Sequence, residues 1–282
     1  MTKKLFLAGW EVHLNGDEQC QRFLQTQVTT EAVVHSDFGG LELVFTDEKL
    51  TQAFNWNYSK KSEKPLKSDE LGLLIPTLTP NPLLYAVEDP DGVHQLGGEL
   101  PAGFALPFSS CVVPFQYLGF ISDRDPNFAW LPFTIHLTCP IYLDIDKVFL
   151  DYADPLKPVL LNREAVEAVG TAYDEDLDED TEIVYNTEKF NFSLQTGYSG
   201  SNQAGIPSWL QFPTIPVCPK SGKTMKFLCQ LTTGPEANRT NVNAKNESFT
   251  RYYDCMNFWG DGSLYVFVEP TARTACYLIQ NT

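Results

Sequence analysis

Two stretches of this chain resemble one another, and an internal repeat limits the fold more than any other feature of the sequence. The first runs Gln95-Leu96-Gly97-Gly98-Glu99-Leu100-Pro101, then Leu106-Pro107, then Pro114-Phe115-Gln116-Tyr117-Leu118-Gly119-Phe120. The second runs Asn202-Gln203-Ala204-Gly205-Ile206-Pro207, then Phe212-Pro213, then Thr224-Met225-Lys226-Phe227-Leu228-Cys229-Gln230. Each has a glycine near a proline, a second proline about six residues on, a gap, and then an apolar strand. Glycine permits a backbone conformation closed to other residues. The prolines stiffen an extended crossing and keep it out of the centre of a sheet. A further strand follows each copy: Pro140-Ile141-Tyr142-Leu143 and Gly262-Ser263-Leu264-Tyr265-Val266-Phe267.

The rest of the chain reads as short strands between turn formers. With 43% hydrophobic and 13% aromatic residues it can bury a substantial core, and its 19 prolines and 18 glycines favour strands over long helices. Residues 4–12, 32–35 and 41–45 read as extended. Thr46 caps an expected helix over 47–55, with Asp47 and Glu48 in its first turn and Leu50, Ala53 and Phe54 at core-facing spacing. A second helix is expected over 17–27, and a short one over 162–169. Residues 57–70 read as a loop and 71–87 as irregular and extended. Strands are expected at 112–122 and 133–145, separated by Asp123-Arg124-Asp125-Pro126-Asn127. Beyond an acidic run the β pattern resumes at 183–194, 225–232, 249–258, 264–268 and 274–280. The division is an N-terminal α/β segment (1–90), a first repeat (91–172), an acidic loop (173–182) and a second repeat (183–282), packed as one unit. The expected fold class is α+β, β-rich, with two pseudo-symmetric halves and mostly antiparallel sheet.

Twenty basic residues against 36 acidic ones give a net charge of −16. Such a field repels nucleic acid and anionic membrane surfaces, and favours a basic protein partner. Residues 174–182 hold seven acidic residues and no base, the pattern of a solvated loop. No segment reads as a signal peptide or a spanning helix, so the expected location is cytoplasmic. The seven cysteines, Cys20, Cys111, Cys139, Cys218, Cys229, Cys255 and Cys276, are odd in number and widely spaced, which favours buried thiols over a disulfide framework.

Three segments of the second half resemble the YwqG family of bacterial proteins of unknown function. They are Ala204-Gly205-Ile206-Pro207-Ser208-Trp209-Leu210-Gln211, Met225-Lys226-Phe227-Leu228-Cys229-Gln230-Leu231, and Asn257-Phe258-Trp259-Gly260-Asp261-Gly262-Ser263-Leu264-Tyr265-Val266-Phe267. Gln95–Pro101 and Tyr117–Ser122 resemble its first half, so the likeness covers residues 94–282. It implies an α+β protein of two pseudo-symmetric halves and no known activity, and the occurrence of some members near toxin genes implies immunity roles. Where relatives carry Cys-Pro-x-Cys this chain has Cys218-Pro219-Lys220-Ser221, and Ser221 supplies no thiolate for a zinc ribbon.

Trp209, Gln211, Gln230, Trp259 and Asp261 are the candidate binding residues. In a cleft between the halves they would supply aromatic walls and amide donors. The structural alternative makes Asp261-Gly262 a tight turn, Trp259 a core plug, and the glutamines partners for loop backbone. No metal or cofactor is expected: Cys218 lacks close-spaced partner ligands. The run from Asp174 lacks the glycine and glutamate of a calcium loop. Ser221-Gly222-Lys223-Thr224 lacks the first glycine of a phosphate loop and precedes a strand. Gly197-Tyr198-Ser199-Gly200 is not a nucleophile elbow. Of His13, His35, His94 and His136, only His94 adjoins a motif. The expectation is therefore a non-catalytic interaction or immunity-type protein with a basic partner. The alternative is a small-ligand binder or an enzyme working in the cleft between repeats.

Overall fold

The structure is a computed structural model that describes residues 2–8, 11–15, 18–22, 40–47, 49–57, 60–65, 84–171, 182–194, 202–205, 207, 210–211, 214–241 and 254–281. The chain begins with β1 (Thr2–Ala8), β2 (Glu11–Asn15), β3 (Glu18–Arg22), β4 (Gly40–Thr46), β5 (Lys49–Asn57) and β6 (Lys60–Lys61). β1, β4, β5 and β6 form one sheet in that order, and β2 and β3 form a hairpin.

The helix expected over 47–55 is replaced by a strand, and so is the described part of the one expected over 17–27. Residues 49–57 pair antiparallel with β4, Ala53 facing Leu43 and Leu50 facing Phe45. The strongly alternating strand at 41–45 offers a partner immediately upstream, and Asp47 turns the chain at φ 49. Cross-strand pairing then outweighs the helical spacing of Leu50, Ala53 and Phe54. In the 17–27 stretch, residues 18–22 pair with β2, Asn15 facing Glu18; the hairpin signal Asn15-Gly16 decides here. Residues 23–27 lie outside the described residues, as do 32–35, 71–83 and 249–253.

The body of the protein is built from β7 (Leu84–Glu88), β8 (His94–Leu96), β9 (Gln116–Ile121), β10 (Ile135–Cys139), β11 (Val148–Asp151), β12 (Val159–Leu160), β13 (Glu182–Tyr185), β14 (Glu188–Ser193), β15 (Gln203–Ala204), β16 (Lys226–Leu231), β17 (Thr233–Asn241), β18 (Cys255–Asn257), β19 (Ser263–Glu269) and β20 (Thr274–Gln280). Eleven of these make one sheet in the order β10-β9-β8-β14-β7-β15-β16-β19-β20-β11-β12, and β13, β17 and β18 make a small one. Every ladder among the described residues is antiparallel. The fold is thus β-rich and mostly antiparallel. The α component shrinks, among the described residues, to a five-residue helix, Arg163–Glu167, inside the stretch expected to be helical, and a 3-10 turn at Pro126–Phe128.

β8, β9 and β10 follow β14 on one side, and β15, β16 and β19 follow β7 on the other. Gln95 faces Phe120 as Gln203 faces Gln230. Both outer ladders carry a bulge. Leu137 and Thr138 face Gly119 and Tyr117, leaving Leu118 extra, while Val266 and Phe267 face Cys229 and Phe227, leaving Leu228 extra. Both leucines are buried in the core. A bulge bends its strand and sharpens the twist, and one face of the whole sheet wraps a single apolar cluster that includes Leu96, Leu118, Leu137, Phe190, Leu228, Val266 and Tyr277.

Side chains close the wrap. Tyr152 Oη donates to the His136 carbonyl at 2.6 Å and lies 2.6 Å from Tyr277 Oη. Tyr277 also receives the Thr138 backbone N–H. Trp259 Nε1 donates to the Ile141 carbonyl at 2.6 Å. The outer edge of β10 is therefore capped by aromatic side chains from β20 and the segment after β11, with Trp259 holding the chain just beyond it, which guards a strand edge against pairing with another chain.

Gly119 is where the first bulge is most demanding. Its φ is 119, and a Cβ there would lie 2.1 Å from the Gln95 carbonyl oxygen. Gly119→Ala is expected to lose about 3 kcal/mol or more in urea unfolding, because strain and a backbone clash act together. A loss below about 0.5 kcal/mol would show that the β8–β9 approach is looser than described.

Candidate functional site

The buried polar side chains of the second half form a row across four strands. Gln203 faces Gln230, Gln230 faces Tyr265, and Ser263 faces Gln280. Gln230 Nε2 donates to Ser263 Oγ at 3.1 Å, and Ser263 Oγ lies 3.1 Å from Thr232 Oγ1. At the open side of the row, Tyr265 Oη accepts the Leu210 N–H at 3.0 Å and Gln280 Oε1 accepts the Gln211 N–H at 3.1 Å. Gln211 Nε2 reaches the Asn281 carbonyl at 2.6 Å. Burial pushes the Tyr265 phenol well up, so it stays protonated. The row holds residues 210–211 on the sheet by pairing their backbone.

The candidate residues thus fall in two places. Gln230 and exposed Gln211 belong to the polar row. Trp259 and exposed Asp261 belong to the turn between β18 and β19. There Trp259 adopts φ 61, Gly260 N–H donates to Asn257 Oδ1 at 3.2 Å, and a Cβ on Gly262 would meet the Phe258 carbonyl oxygen at 1.9 Å. Trp209 lies outside the described residues, as do residues 174–181 of the acidic run; Glu182 opens β13.

Cys218 starts a tight hairpin: its N–H donates to the Lys223 carbonyl at 2.8 Å, and Val217 bridges Thr224. Burial pushes the Cys218 thiol up, but hydrogen bonds from Ser221, Thr274 and the Lys220 N–H together bring it below its ordinary value. Among the described residues, no group of three or more His, Cys, Asp or Glu side chains is placed to hold a metal ion.

His94 anchors a second polar cluster, in the first half. Ser122 N–H donates to Nδ1 at 3.1 Å, so that nitrogen carries no proton, and Nε2 donates to Asp125 Oδ2 at 2.9 Å. Phe128, Phe190 and Phe192 surround the ring at centroid distances of 5.2–5.3 Å. Beyond β7, Asn202 Oδ1 accepts the Thr232 N–H at 2.7 Å. His94 and Asn202 each hold the end of the neighbouring strand, β9 or β16.

An open groove of about 480 Å³ lies beside the β7–β14 ladder. Glu88, Glu188 and Glu236 line it with Lys189, and Pro90, Asn186, Thr187 and Pro235 complete it. Glu88 faces Phe190 across the ladder, two residues from Glu188. Burial, and then the charge of Glu88, holds Glu188 above the ordinary carboxylate range. Sequence reasoning missed this groove. Glu88 and Glu188 lie a hundred residues apart and meet through the β7–β14 pairing, while Glu236 arrives through the bond from the Asn186 N–H to its carbonyl. No family model, curated protein or solved structure matches this chain.

The His94 cluster sets a pH response. Burial lowers the folded imidazole below its ordinary 6.5, against the opposing pull of Asp125. As pH falls, the unfolded chain takes up this proton first, so stability is full above about 6.5 and declines below it. The urea midpoint is expected to fall between about pH 7 and pH 5.5. His94→Asn should reduce that slope, leaving the share of His136, which burial also lowers. An unchanged slope in the variant would remove His94 as its source.

Proposed function

We propose that this chain is a YwqG-like interaction protein that docks a basic partner, using the carboxylate groove beside the β7–β14 ladder. The observation that carries this reading is the groove itself. Three glutamates share one concave surface on a chain of net charge −16, and one of them is held above its ordinary range by burial and then by the charge of its neighbour. A lysine or arginine side chain entering there would relieve that repulsion and be steered by the field of the whole protein.

The reading includes an internal duplication in which the halves exchange their first strands. β7 precedes the β8–β9–β10 set in the chain but adds to β15, while β14 precedes the β15–β16–β19 set but adds to β8. What supports it is the common bulge, the common register, and the shared task of His94 and Asn202. A pseudo-two-fold axis would then pass through the Val87–Asn191 pair.

A short oligolysine peptide tests the docking reading by calorimetry. Binding is expected at about 20 mM salt and should weaken about tenfold or more by about 0.3 M. Replacing Glu88, Glu188 and Glu236 together by Gln should abolish most of it. The charge-matched control Glu63→Gln, Asp144→Asn, Glu164→Gln should change it little. Equal losses in both triple variants would mean that net charge alone attracts the peptide and that the groove is no docking place.

A further inference from the structure

Lys226 opens β16, half-buried, with its Nζ 4.0 Å from the centroid of the Trp130 ring. Trp130 comes from the connection between β9 and β10, so a residue of the first half caps a lysine of the second. In a chain with 36 carboxylates, none among the described residues pairs with this amine. The charged groups on the elements around it are engaged elsewhere. Asp123 accepts the Thr134 hydroxyl at 2.6 Å, and Asp125 holds His94 and the Asn127 N–H. On β19, Val268 faces Lys226, and the adjacent Glu269 accepts the Ala272 N–H. Arg124, in the Trp130 loop, adds only like charge. Trp130 also walls a small cavity of about 30 Å³ with Leu84, Asn127, Phe128 and Phe227.

An ammonium group in such a place has lost water and gained only a ring face. A cation–π contact returns part of the lost solvation, but no anion returns the rest. Burial accordingly holds Lys226 down at about 8. At pH 7 the fraction of neutral amine is then about two hundred times that of an ordinary lysine near 10.4.

We propose that Lys226 is a covalent modification site for activated acyl donors of the acyl phosphate class. The neutral Nζ lone pair attacks the donor carbonyl carbon and a C–N bond forms. The bond from that carbon to the phosphate oxygen breaks, and phosphate leaves with the bonding pair. The amine proton passes to water. The product is a neutral amide beside Trp130, and the net charge moves from −16 to −17 with the loss of one of 20 positive charges. No oxidant or reductant takes part.

The experiment exposes the intact protein to acetyl phosphate and follows each lysine by quantitative peptide mass spectrometry from about pH 6.5 to 9.5. At pH 7 Lys226 should acetylate about tenfold faster than exposed Lys157, Lys189 and Lys223; lower intrinsic nucleophilicity and restricted access cut down its two-hundredfold advantage in free amine. Its rate should level off above about pH 8 while theirs continue to rise. In urea the advantage should vanish, and in a folded Trp130→Ala protein, where water reaches the amine, it should shrink severalfold. A Lys226 rate no greater than the exposed three, a rate still rising in parallel with theirs at pH 9.5, or an advantage that survives in urea would each overturn the proposal.

Discussion

The antiparallel pairing of β7 with β14 joins residues about a hundred positions apart, and the remaining ladders are arranged around it. β7 carries β15 and everything beyond it; β14 carries β8, β9 and β10. Neither set would have its inner neighbour without a strand from the other part of the chain. Closing so long a loop costs little more entropy than closing a loop of half the length, and the pairing brings Phe190 and Phe192 into the same core as Leu118 and Leu228. A split between the two sets would expose that core and two strand edges together.

The curvature of the sheet and its capped edge follow from local chemistry. The bulges at Leu118 and Leu228 turn the outer ladders, and Gly119 lets the bulged strand approach the Gln95 backbone. Tyr152 and Tyr277 then satisfy backbone groups along β10 that no further strand pairs, and Trp259 bonds the Ile141 carbonyl just beyond it. Each is aromatic with one polar atom, able to lie in an apolar core and still pair with backbone. The buried amides and hydroxyls of the second half have a different task, holding a non-sheet segment over the outer face. Tyr265 and Gln280 pair with the backbone of residues 210–211, and Gln230 donates to Ser263 within the same row.

Much of this was legible in the sequence where strand signals were strong. The stretches 112–122 and 133–145 contain β9 and β10, and the runs around 225–232, 264–268 and 274–280 contain or overlap β16, β19 and β20. Set side by side, the two similar stretches place Gln116–Phe120 against Lys226–Gln230, and both strands bulge at the corresponding leucine. The helix expected over 47–55 gives way to β5 because the strand just before it offers an antiparallel partner. The glutamate groove and the Lys226–Trp130 contact left no local trace. They depend on strand order and on the connection between β9 and β10 reaching across the sheet, which no spacing within one segment encodes. Gln211, Gln230, Trp259 and Asp261 were legible as residues but not as a constellation, since a polar row and a tight turn can share one motif.

Native-state hydrogen exchange tests most directly whether β7 and β14 bind the two sets of strands into one cooperative unit. The account predicts that the amides of Val87 and Asn191, which face each other across the β7–β14 ladder, exchange only through global unfolding. Their free energy and urea dependence should match those of protected amides in β9 and β19. Exchange of the β7 and β14 amides at distinctly lower free energy, with β9 and β19 still protected, would show that each set of strands stands without the other and would contradict the account.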